Sequence, residues 1–461
     1  MDTIRYRKFD YFEIIGMLIF MILSIVIALY LEHLCHIDGK VLSIVSILIV
    51  AVSITYVFIA SNRYVLTIYN IYLIVFCVFH FGLIFIYAFG LEVSPNFKNY
   101  IKKWFFSYYG NYAIVLVTIG LSAAMSGILF MLALGKGRGA NDTVEIPNPK
   151  SDKILSIFGF LLVAVSVFSW FYVTLSHGGL SLLTGSYESF LENTAGYLSG
   201  WYYYFPLGWG LIVLAVANPS PLRRAGFSIF LIFSMVALPL GLRGEVLFPL
   251  FSALAVAGMK GMRLNLKKTM ILGFCLLCTI SALRQIRNVG IERVRIAEIA
   301  VSPVDSLGEL GSSIRPVVEV VSWAEAGEDF IYGQSYWAPI DRALVYIVPG
   351  WTRPLLPADD RLLNVLVQRR VGPIGFSPVA EAYRNFGKFG VVFVMFLTGM
   401  FLTWLDALRP TQTNRLIAGF VFFPILIQVR NAFVFVPSNI LLGLFLLFII
   451  KKFYSEEKLS T

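Results

Sequence analysis

The sequence predicts an all-α fold, a polytopic bundle of about twelve transmembrane helices with one large outer loop. Three observations support this fold class. Hydrophobic residues fill 58% of the 461 positions and charged residues only 14%. The mean hydropathy of +0.78 agrees with this excess, which lies well outside the composition of soluble domains. Long apolar runs alternate with short clusters of Lys, Arg or turn residues along the chain.

Each predicted span is an apolar run close to the length that a bilayer requires. A hydrocarbon core about 30 Å thick needs roughly 20 apolar residues per helix. The runs lie at 12–30, 42–60, 64–89, 111–134, 153–174, 200–217, 225–242, 245–260, 268–286, 388–408, 414–429 and 432–450. They predict three regions: helices one to nine in 1–286, a large outer loop with short amphipathic helices in 287–387, and helices ten to twelve with a cytoplasmic tail in 388–461. Within the loop, an amphipathic stretch is expected at 291–300 and a helix at about 359–371, with Asp359 and Asp360 as its cap and first-turn acids.

The orientation follows from the basic residues of the connections. Alternate connections carry Arg5, Arg7, Lys8, Arg63, Lys136, Arg138, Arg223, Arg224, Arg263, Lys267, Lys268, Arg409, Arg415, Lys451 and Lys452. The positive-inside rule places these connections and both termini in the cytoplasm, although Lys98, Lys102 and Lys103 fall on the other side. The net charge of +10 therefore reflects membrane topology, and no nucleic-acid partner is expected.

Arginines are also predicted on the outer side, where the topology does not require them. The segment LPLGLRGEVLFPLF, residues 238–251, places Arg243 and Glu245 in a tight outer turn. The same level is predicted for Arg284, Arg287, Arg384 and Arg430, with Arg342 and Arg353 of the outer loop nearby. Because guanidinium groups are always charged and bind phosphate oxygens in pairs, the set indicates a site for a lipid-linked phosphate or pyrophosphate. The alternative is structural ion pairing with Glu245 and Glu381.

A second candidate stretch is GFSPVAEAYRNFGKFG, residues 375–390. Glu381, Arg384 and Lys388 have the spacing i, i+3 and i+7, which predicts one stripe on a helix entering the membrane. An acid beside a cation stays ionised and can accept a proton, so Glu381 is a candidate general base.

Aromatic residues on the outer side offer flat faces for sugar rings. They include Tyr203 in GWYYYFPLGWG and the outer-loop residues Trp323, Tyr336, Trp337 and Trp351. Trp and Tyr are also enriched at membrane interfaces in general, so sugar binding and simple anchoring remain alternatives.

Five segments resemble a known family. LPLGLRGEVLFPLF, SHGGLSLLTGSYESF, VYIVPGWTRPLLP, GFSPVAEAYRNFGKFGVVF and QVRNAF occur in an order similar to that of Wzy-type O-antigen and enterobacterial-common-antigen polysaccharide polymerases. The resemblance covers roughly residues 150–450.

The resemblance implies a membrane-embedded, C-type glycosyltransferase that is inverting, metal-independent and without a cofactor. It would join oligosaccharide repeat units carried on undecaprenyl pyrophosphate at the periplasmic face of the bacterial inner membrane, as in the synthesis of lipopolysaccharide O-antigen. Arg243, Arg384 and Arg430 fit the pyrophosphate site, Glu381 is the first choice for the base and Glu245 the second. A chain-length-regulating co-polymerase is an expected partner, beside the bilayer itself.

Two other functions remain open. A flippase or exporter of lipid-linked oligosaccharides should carry charges at mid-membrane depth and repeated halves. An O-antigen ligase should use a histidine in the large outer loop. None of the four histidines lies in 287–387, and only His177 is near a plausible site.

Overall fold

The structure, a computed structural model, describes residues 11–61, 64–135, 149–184, 187–194, 197, 200, 202–289, 301–344, 348, 350, 352 and 358–456. Within these ranges every regular element is helical, as the fold class predicted. The α-helices are α1 (Tyr11–Leu29), α2 (Leu31–Leu34), α3 (Gly39–Ala60), α4 (Ile68–Phe89), α5 (Pro95–Lys102), α6 (Tyr108–Ala133), α7 (Pro149–Gly178), α8 (Ser181–Thr184), α9 (Tyr187–Thr194), α10 (Tyr204–Val216), α11 (Pro221–Ala237), α12 (Arg243–Met259), α13 (Leu266–Val289), α14 (Pro303–Gly311), α15 (Arg315–Glu325), α16 (Gln334–Leu344), α17 (Leu363–Arg370), α18 (Pro378–Asp406), α19 (Gln412–Gln428) and α20 (Val436–Glu456).

A helix lies at each of the twelve predicted apolar runs, but the helices differ in length. Among the described residues, seven segments are long and apolar enough to cross a membrane: α1, α3, α4, α6, α7, α18 and Phe433–Phe453. Helices α10, α11, α12 and α19 have only 13 to 17 residues. At about 1.5 Å per residue, such helices are shorter than the bilayer core of about 30 Å. The protein is thus a polytopic membrane protein, and the count of twelve spans stays a prediction.

The chain divides into two compact units. The first contains Met1–Asn141, Leu307–Ala407 and Pro424–Ser438, and the second contains Asp142–Ser306, Leu408–Phe423 and Asn439–Thr461. Each unit therefore combines segments that are distant in the sequence.

Helix α6 forms the centre of the first unit, with α1, α3, α15 and α18 packed against it. Small residues allow α6 and α18 to cross closely. A Cβ atom on Gly127 would lie 2.1 Å from the Phe396 carbonyl oxygen, and one on Gly399 would lie 2.0 Å from that of Ala124. Since no side-chain carbon fits at these distances, the crossing depends on glycine at both positions.

Helix α18 also makes a polar contact with α4. The backbone N–H of Ile68 donates to Asp406 Oδ1 at 2.9 Å, so the last residue of α18 satisfies one of the amides that α4 leaves without an intrahelical partner. The contact fixes one end of α18 in the first unit.

The other end of α18 extends beyond the length that a membrane span requires. Residues 388–406, which follow the non-helical Gly387, already give roughly 28 Å at about 1.5 Å each, against a core of about 30 Å. The helix was expected to enter the membrane near residue 388 but begins ten residues earlier, at Pro378. Glu381 and Arg384 therefore belong to its first two turns.

In the second unit, α7 packs against α10 and α11, and α10 packs against α12. A polar network joins their ends: Asp152 accepts from Asn218 and, at 3.0 Å, from Gln412 Nε2. Lys260 Nζ donates to Asn218 Oδ1 at 3.0 Å. This network connects four segments of the unit around one carboxylate.

Of two expectations for the outer loop, one was wrong in detail, and the other concerns residues that the structure does not describe. A helix at about 359–371 with Asp359 and Asp360 as cap and first-turn acids was expected, but α17 begins at Leu363 and Leu362 at its N-cap makes no side-chain hydrogen bond. The carboxylate of Asp359 instead binds arginines. The amphipathic stretch expected at 291–300 lies outside the described residues.

We expect Gly399→Ala to lower the melting temperature of the purified protein by roughly 2–8 °C, because the added methyl group overlaps the backbone of α6. Gly273→Ala is the matched control: a Cβ atom there meets no described atom within 4 Å. The control gains the ordinary helix propensity of Ala without a clash. Equal melting temperatures for the two variants would contradict the close crossing of α6 and α18.

Candidate functional site

The carboxylate of Glu381 is enclosed at the start of α18. The residue is 1% exposed. Its Oε1 accepts from the Ser335 hydroxyl at 2.7 Å, and its Oε2 accepts from the Phe433 backbone N–H at 2.7 Å. The Asn385 side chain donates to Ser335 Oγ at 2.7 Å. We call these four residues the Glu381 cluster, which joins α18 to α16 and to the segment before α20.

The turn that carries Arg430 lies beside this cluster. The Arg430 carbonyl accepts from the Phe376 N–H at 3.0 Å, directly before the start of α18. Gly375 is required there, since it has φ +78° and a Cβ atom would lie 2.7 Å from that carbonyl oxygen. The Arg430 guanidinium lies 5.8 Å from the ring centroid of Phe79 and belongs to an exposed residue. The backbone of this turn is therefore fixed, while the residue that carries its charge is exposed.

Arg384 lies almost one turn after Glu381 and is 7% exposed. Its Nη2 donates to Glu328 Oε2 at 2.8 Å. Its Nε and Nη1 are buried and have no hydrogen-bond partner among the residues that the structure describes. A buried donor without an acceptor costs about 1–3 kcal/mol, so Arg384 has unused capacity for an anion.

Glu328 binds a second arginine. Its Oε1 accepts from Arg370 Nη1 at 2.5 Å. The Arg370 guanidinium lies 4.7 Å from the ring centroid of Trp323, a cation–π contact. We call Arg384 and Arg370 the arginine pair. Trp323 was named in the sequence as an aromatic residue, but Glu328, Arg370 and Ser335 were missed.

The predicted stripe of Glu381, Arg384 and Lys388 is wrong for its last member. Gly387 has φ 68° and ψ −161°, which interrupts the helical rotation before Lys388. Lys388 Nζ lies 3.2 Å from Glu32 Oε1 of α2 instead. Arg384 pairs with Glu328 and not with Glu381, so the acid that balances it comes from the outer loop.

Arg243 and Glu245 lie in the second unit. They were expected within a turn, but the turn ends before them, at Gly241 with φ +86° and Leu242, and both residues belong to the first turn of α12. Arg243 is 6% exposed. An arginine at a helix N-terminus gains nothing from the helix dipole, so its place there requires another interaction.

The aromatic and histidine candidates of the second unit lie on two helices. Tyr203 is buried directly before α10. His177, near the end of α7, is exposed, and its ring lies 3.9 Å from that of Tyr197. The substrate roles predicted for both remain predictions.

The remaining candidates belong to the outer loop or to its edge. Trp337 on α16 is 52% exposed, as a sugar-stacking residue requires. Arg353, Trp351 and the side chain of Arg287 lie outside the described part of the chain. Their predicted roles stay predictions, as does the convergence of the outer arginines on one ligand.

Arg342, another candidate, lies in a compact ion-pair cluster. Its Nη1 lies 3.0 Å from Asp359 Oδ2, while Arg361 binds Asp359 and Asp341 at 2.8 Å each. Burial favours a higher pKa for Asp359, but the hydrogen bonds from Arg361 and Arg342 hold it below the ordinary value of 3.8. In this cluster two carboxylates balance two guanidiniums, which favours a structural role.

These observations define a class: a helical, polytopic membrane protein with an enclosed carboxylate and an arginine pair at one end of a long apolar helix. The particular family follows from comparison. The model of the O-antigen polysaccharide polymerase Wzy family matches residues 12–457, and the chain belongs to this family. The predicted family is thereby confirmed.

Protein CapE of Staphylococcus aureus is similar to this chain, with 30% identity over 295 residues. The aligned region covers 63% of this chain and 62% of the relative, which is less than two thirds of the relative's length. No solved structure gives a significant match.

We expect Asp359→Asn to destabilise the protein by about 3 kcal/mol near pH 7, since it removes the charge that compensates Arg342 in a buried setting. Because the pKa of Asp359 is lowered on folding, this contribution is present above about pH 3.8 and is lost as the pH falls through the lower folded value. Melting curves near pH 7 and below pH 3.8 measure the difference. Asp360→Asn, which affects the exposed pair with Arg369, is the control and should change little. A pH-independent difference would contradict the assignment.

Proposed function

We propose that this protein is a polysaccharide polymerase that joins oligosaccharide repeat units carried on undecaprenyl pyrophosphate. The growing chain on its carrier is the donor and a new repeat unit is the acceptor. The reaction takes place on the outer, periplasmic side of the cytoplasmic membrane and yields a surface polysaccharide of the O-antigen type. Family membership supports the reaction class, and the basic residues of the connections support the orientation.

The observation that carries the proposal for the site is Arg384. A guanidinium that is 7% exposed, with two of its nitrogens without acceptors in the described structure, is costly unless a ligand supplies oxygens. It lies in the part of α18 that exceeds a bilayer core, where the pyrophosphate of a membrane-bound lipid would be located. The geometry therefore suits a lipid-linked pyrophosphate better than a soluble sugar.

The proposed reaction is a single displacement. The acceptor hydroxyl attacks the anomeric carbon of the donor, the bond from that carbon to the pyrophosphate oxygen breaks, and the configuration inverts. The leaving pyrophosphate takes the bonding electrons, and arginine donors stabilise its developing charge. In this scheme arginines do the work that a metal ion does in other transferases.

Three arginines have proposed roles at the pyrophosphate. Arg384 has unused donors, and Arg430 is an exposed residue on a fixed turn. Arg243, a buried arginine in the first turn of α12, keeps the role that the sequence predicted for it. Exposed Trp337 is a proposed stacking surface for the sugar chain.

The general-base role of Glu381 is also a proposal. Each carboxylate oxygen accepts one hydrogen bond and keeps a second lone pair, but the group is enclosed, so a neighbouring side chain has to move aside before an acceptor hydroxyl can reach it. The Ser335 hydroxyl is the donor that can rotate away, while the Phe433 N–H belongs to the backbone. Glu245 remains the second choice, and a co-polymerase partner remains an expectation from the resemblance.

We expect Arg384→Ala, Arg430→Ala and Arg243→Ala each to reduce polymerisation by at least about 10²-fold, because each removes donors from the leaving group. Lysine should rescue poorly, since it cannot present paired donors. The measurement is the length distribution of surface glycan after expression in a strain that lacks the polymerase.

The control for these variants is Arg369→Ala, which removes an exposed arginine that pairs with Asp360 in the unit of Arg384 and Arg430. Glycans that end after one repeat unit, with normal protein levels, support a polymerase defect. Loss of all surface antigen would support a ligase or flippase instead. Normal chain lengths from all three variants would eliminate the pyrophosphate site.

We expect Glu381→Gln to lower turnover by about 10²–10⁴-fold with little change in substrate binding, because glutamine keeps the shape but cannot take the proton. Turnover measured against pH distinguishes the roles: loss of a base should remove the acidic limb of the profile. Glu319→Gln, at a half-buried acid paired with Arg315, is the control. A uniform decrease at every pH would identify Glu381 as a positioning residue, and normal turnover would reject both roles.

A further inference from the structure

The side chain of Glu328 has the geometry of a bound anion. It lies between the two guanidiniums of the arginine pair, with one oxygen 2.8 Å from Arg384 Nη2 and the other 2.5 Å from Arg370 Nη1. A phosphate group offers the same arrangement, in which neighbouring oxygens accept from separate guanidiniums. Glu328 therefore occupies a place that suits a phosphate.

Each arginine is held without Glu328. Arg370 lies over Trp323, with 4.7 Å between the guanidinium carbon and the ring centroid. Arg384 is fixed by its burial on α18. The pair would thus remain in place if the carboxylate moved away.

The backbone next to Glu328 is also held independently of its side chain. The N–H groups of Ile331 and Tyr332 donate to the carbonyls of Arg384 and Asn385 at 3.1 and 3.0 Å. The Glu328 side chain itself is 34% exposed, so its carboxylate can rotate into solvent without disturbing this segment.

The exchange would increase the number of hydrogen bonds. Glu328 satisfies one nitrogen of Arg384 and leaves Nε and Nη1 without acceptors in the described structure. A pyrophosphate carries more oxygens than a carboxylate and can reach these donors as well.

We propose that Glu328 is an internal counter-ion that the lipid pyrophosphate displaces, and that Arg370 is thereby a further substrate-binding residue. This inference rests on the proposed function, of which it deepens the pyrophosphate site. In the substrate-free protein Glu328 neutralises the pair, and on binding the phosphate oxygens replace it while the carboxylate turns to water.

The test measures binding of farnesyl diphosphate to the full-length protein in detergent. Glu328→Gln removes the competing charge and keeps the side-chain shape. If Glu328 occupies the pair about nine-tenths of the time, the apparent affinity of the variant should be about tenfold higher than that of the unmodified protein. Arg370→Ala should weaken binding about tenfold or more.

Two residues near Arg370, one before α17 and one on it, provide matched controls. Arg369 and Asp360 form an exposed pair beside Arg370, so Asp360→Asn and Arg369→Ala make the same charge changes and should leave binding unchanged. Thermal melting of each variant checks folding, and Glu328→Ala repeats the test if Glu328→Gln is poorly produced.

The sign of the Glu328→Gln effect decides the proposal. Weaker or unchanged binding would identify Glu328 as a fixed support of the pair and overturn the displacement, as would no binding by any variant. Normal binding in Arg370→Ala would remove Arg370 from the site. Unchanged binding in Arg384→Ala would reject the proposed function itself, whereas loss of binding there together with weaker binding in Glu328→Gln would reject only the displacement.

Discussion

The arrangement of the first unit's site depends on one enclosed carboxylate. Glu381 accepts hydrogen bonds from Ser335 of α16 and from the backbone of Phe433, which follows Arg430 by three residues. These donors come from two stretches, one 46 positions before Glu381 and the other 52 positions after it along the chain. A buried carboxylate must be satisfied, so it constrains every segment that supplies a donor. The position of Arg430 relative to α18 follows from that requirement.

The same unit contains two groups of arginines that differ in how completely they are balanced. Arg342 and Arg361 face Asp359 and Asp341, and each guanidinium has a carboxylate within 3.0 Å. The arginine pair shares the single carboxylate of Glu328. A balanced cluster stabilises a loop, whereas the buried Arg384 keeps two donors that Glu328 does not satisfy and that an anion could use. This contrast distinguishes the Asp359 cluster from the arginine pair, to which the proposed function assigns ligand binding.

The sequence predicted the positions of the helices well, because a helix forms from residues that are close together in the chain. An apolar run indicates that its own residues are buried or face lipid, and the helices of the structure lie at the predicted runs. It also placed Glu381 and Arg384 on one helix and indicated the family. It could not predict that Arg384 pairs with Glu328, since 56 residues separate them and only the fold brings them together. Lys388 was misplaced for a local reason: glycine at 387 permits a positive φ, but nothing in the sequence requires it to adopt one.

The break at Gly387 connects these features. In an intact helix the carbonyls of Arg384 and Asn385 would accept from the amides four residues later, and a non-helical residue between them disturbs that pattern. These two carbonyls accept from Ile331 and Tyr332, which brings the segment of Glu328 against α18. The interruption of the helix thus separates the turns that carry Glu381 and Arg384 from the apolar part of α18. It also supplies the backbone acceptors that place Glu328 beside the arginine pair. A continuous helix would have aligned Lys388 with Arg384 and left the outer loop without these two attachments.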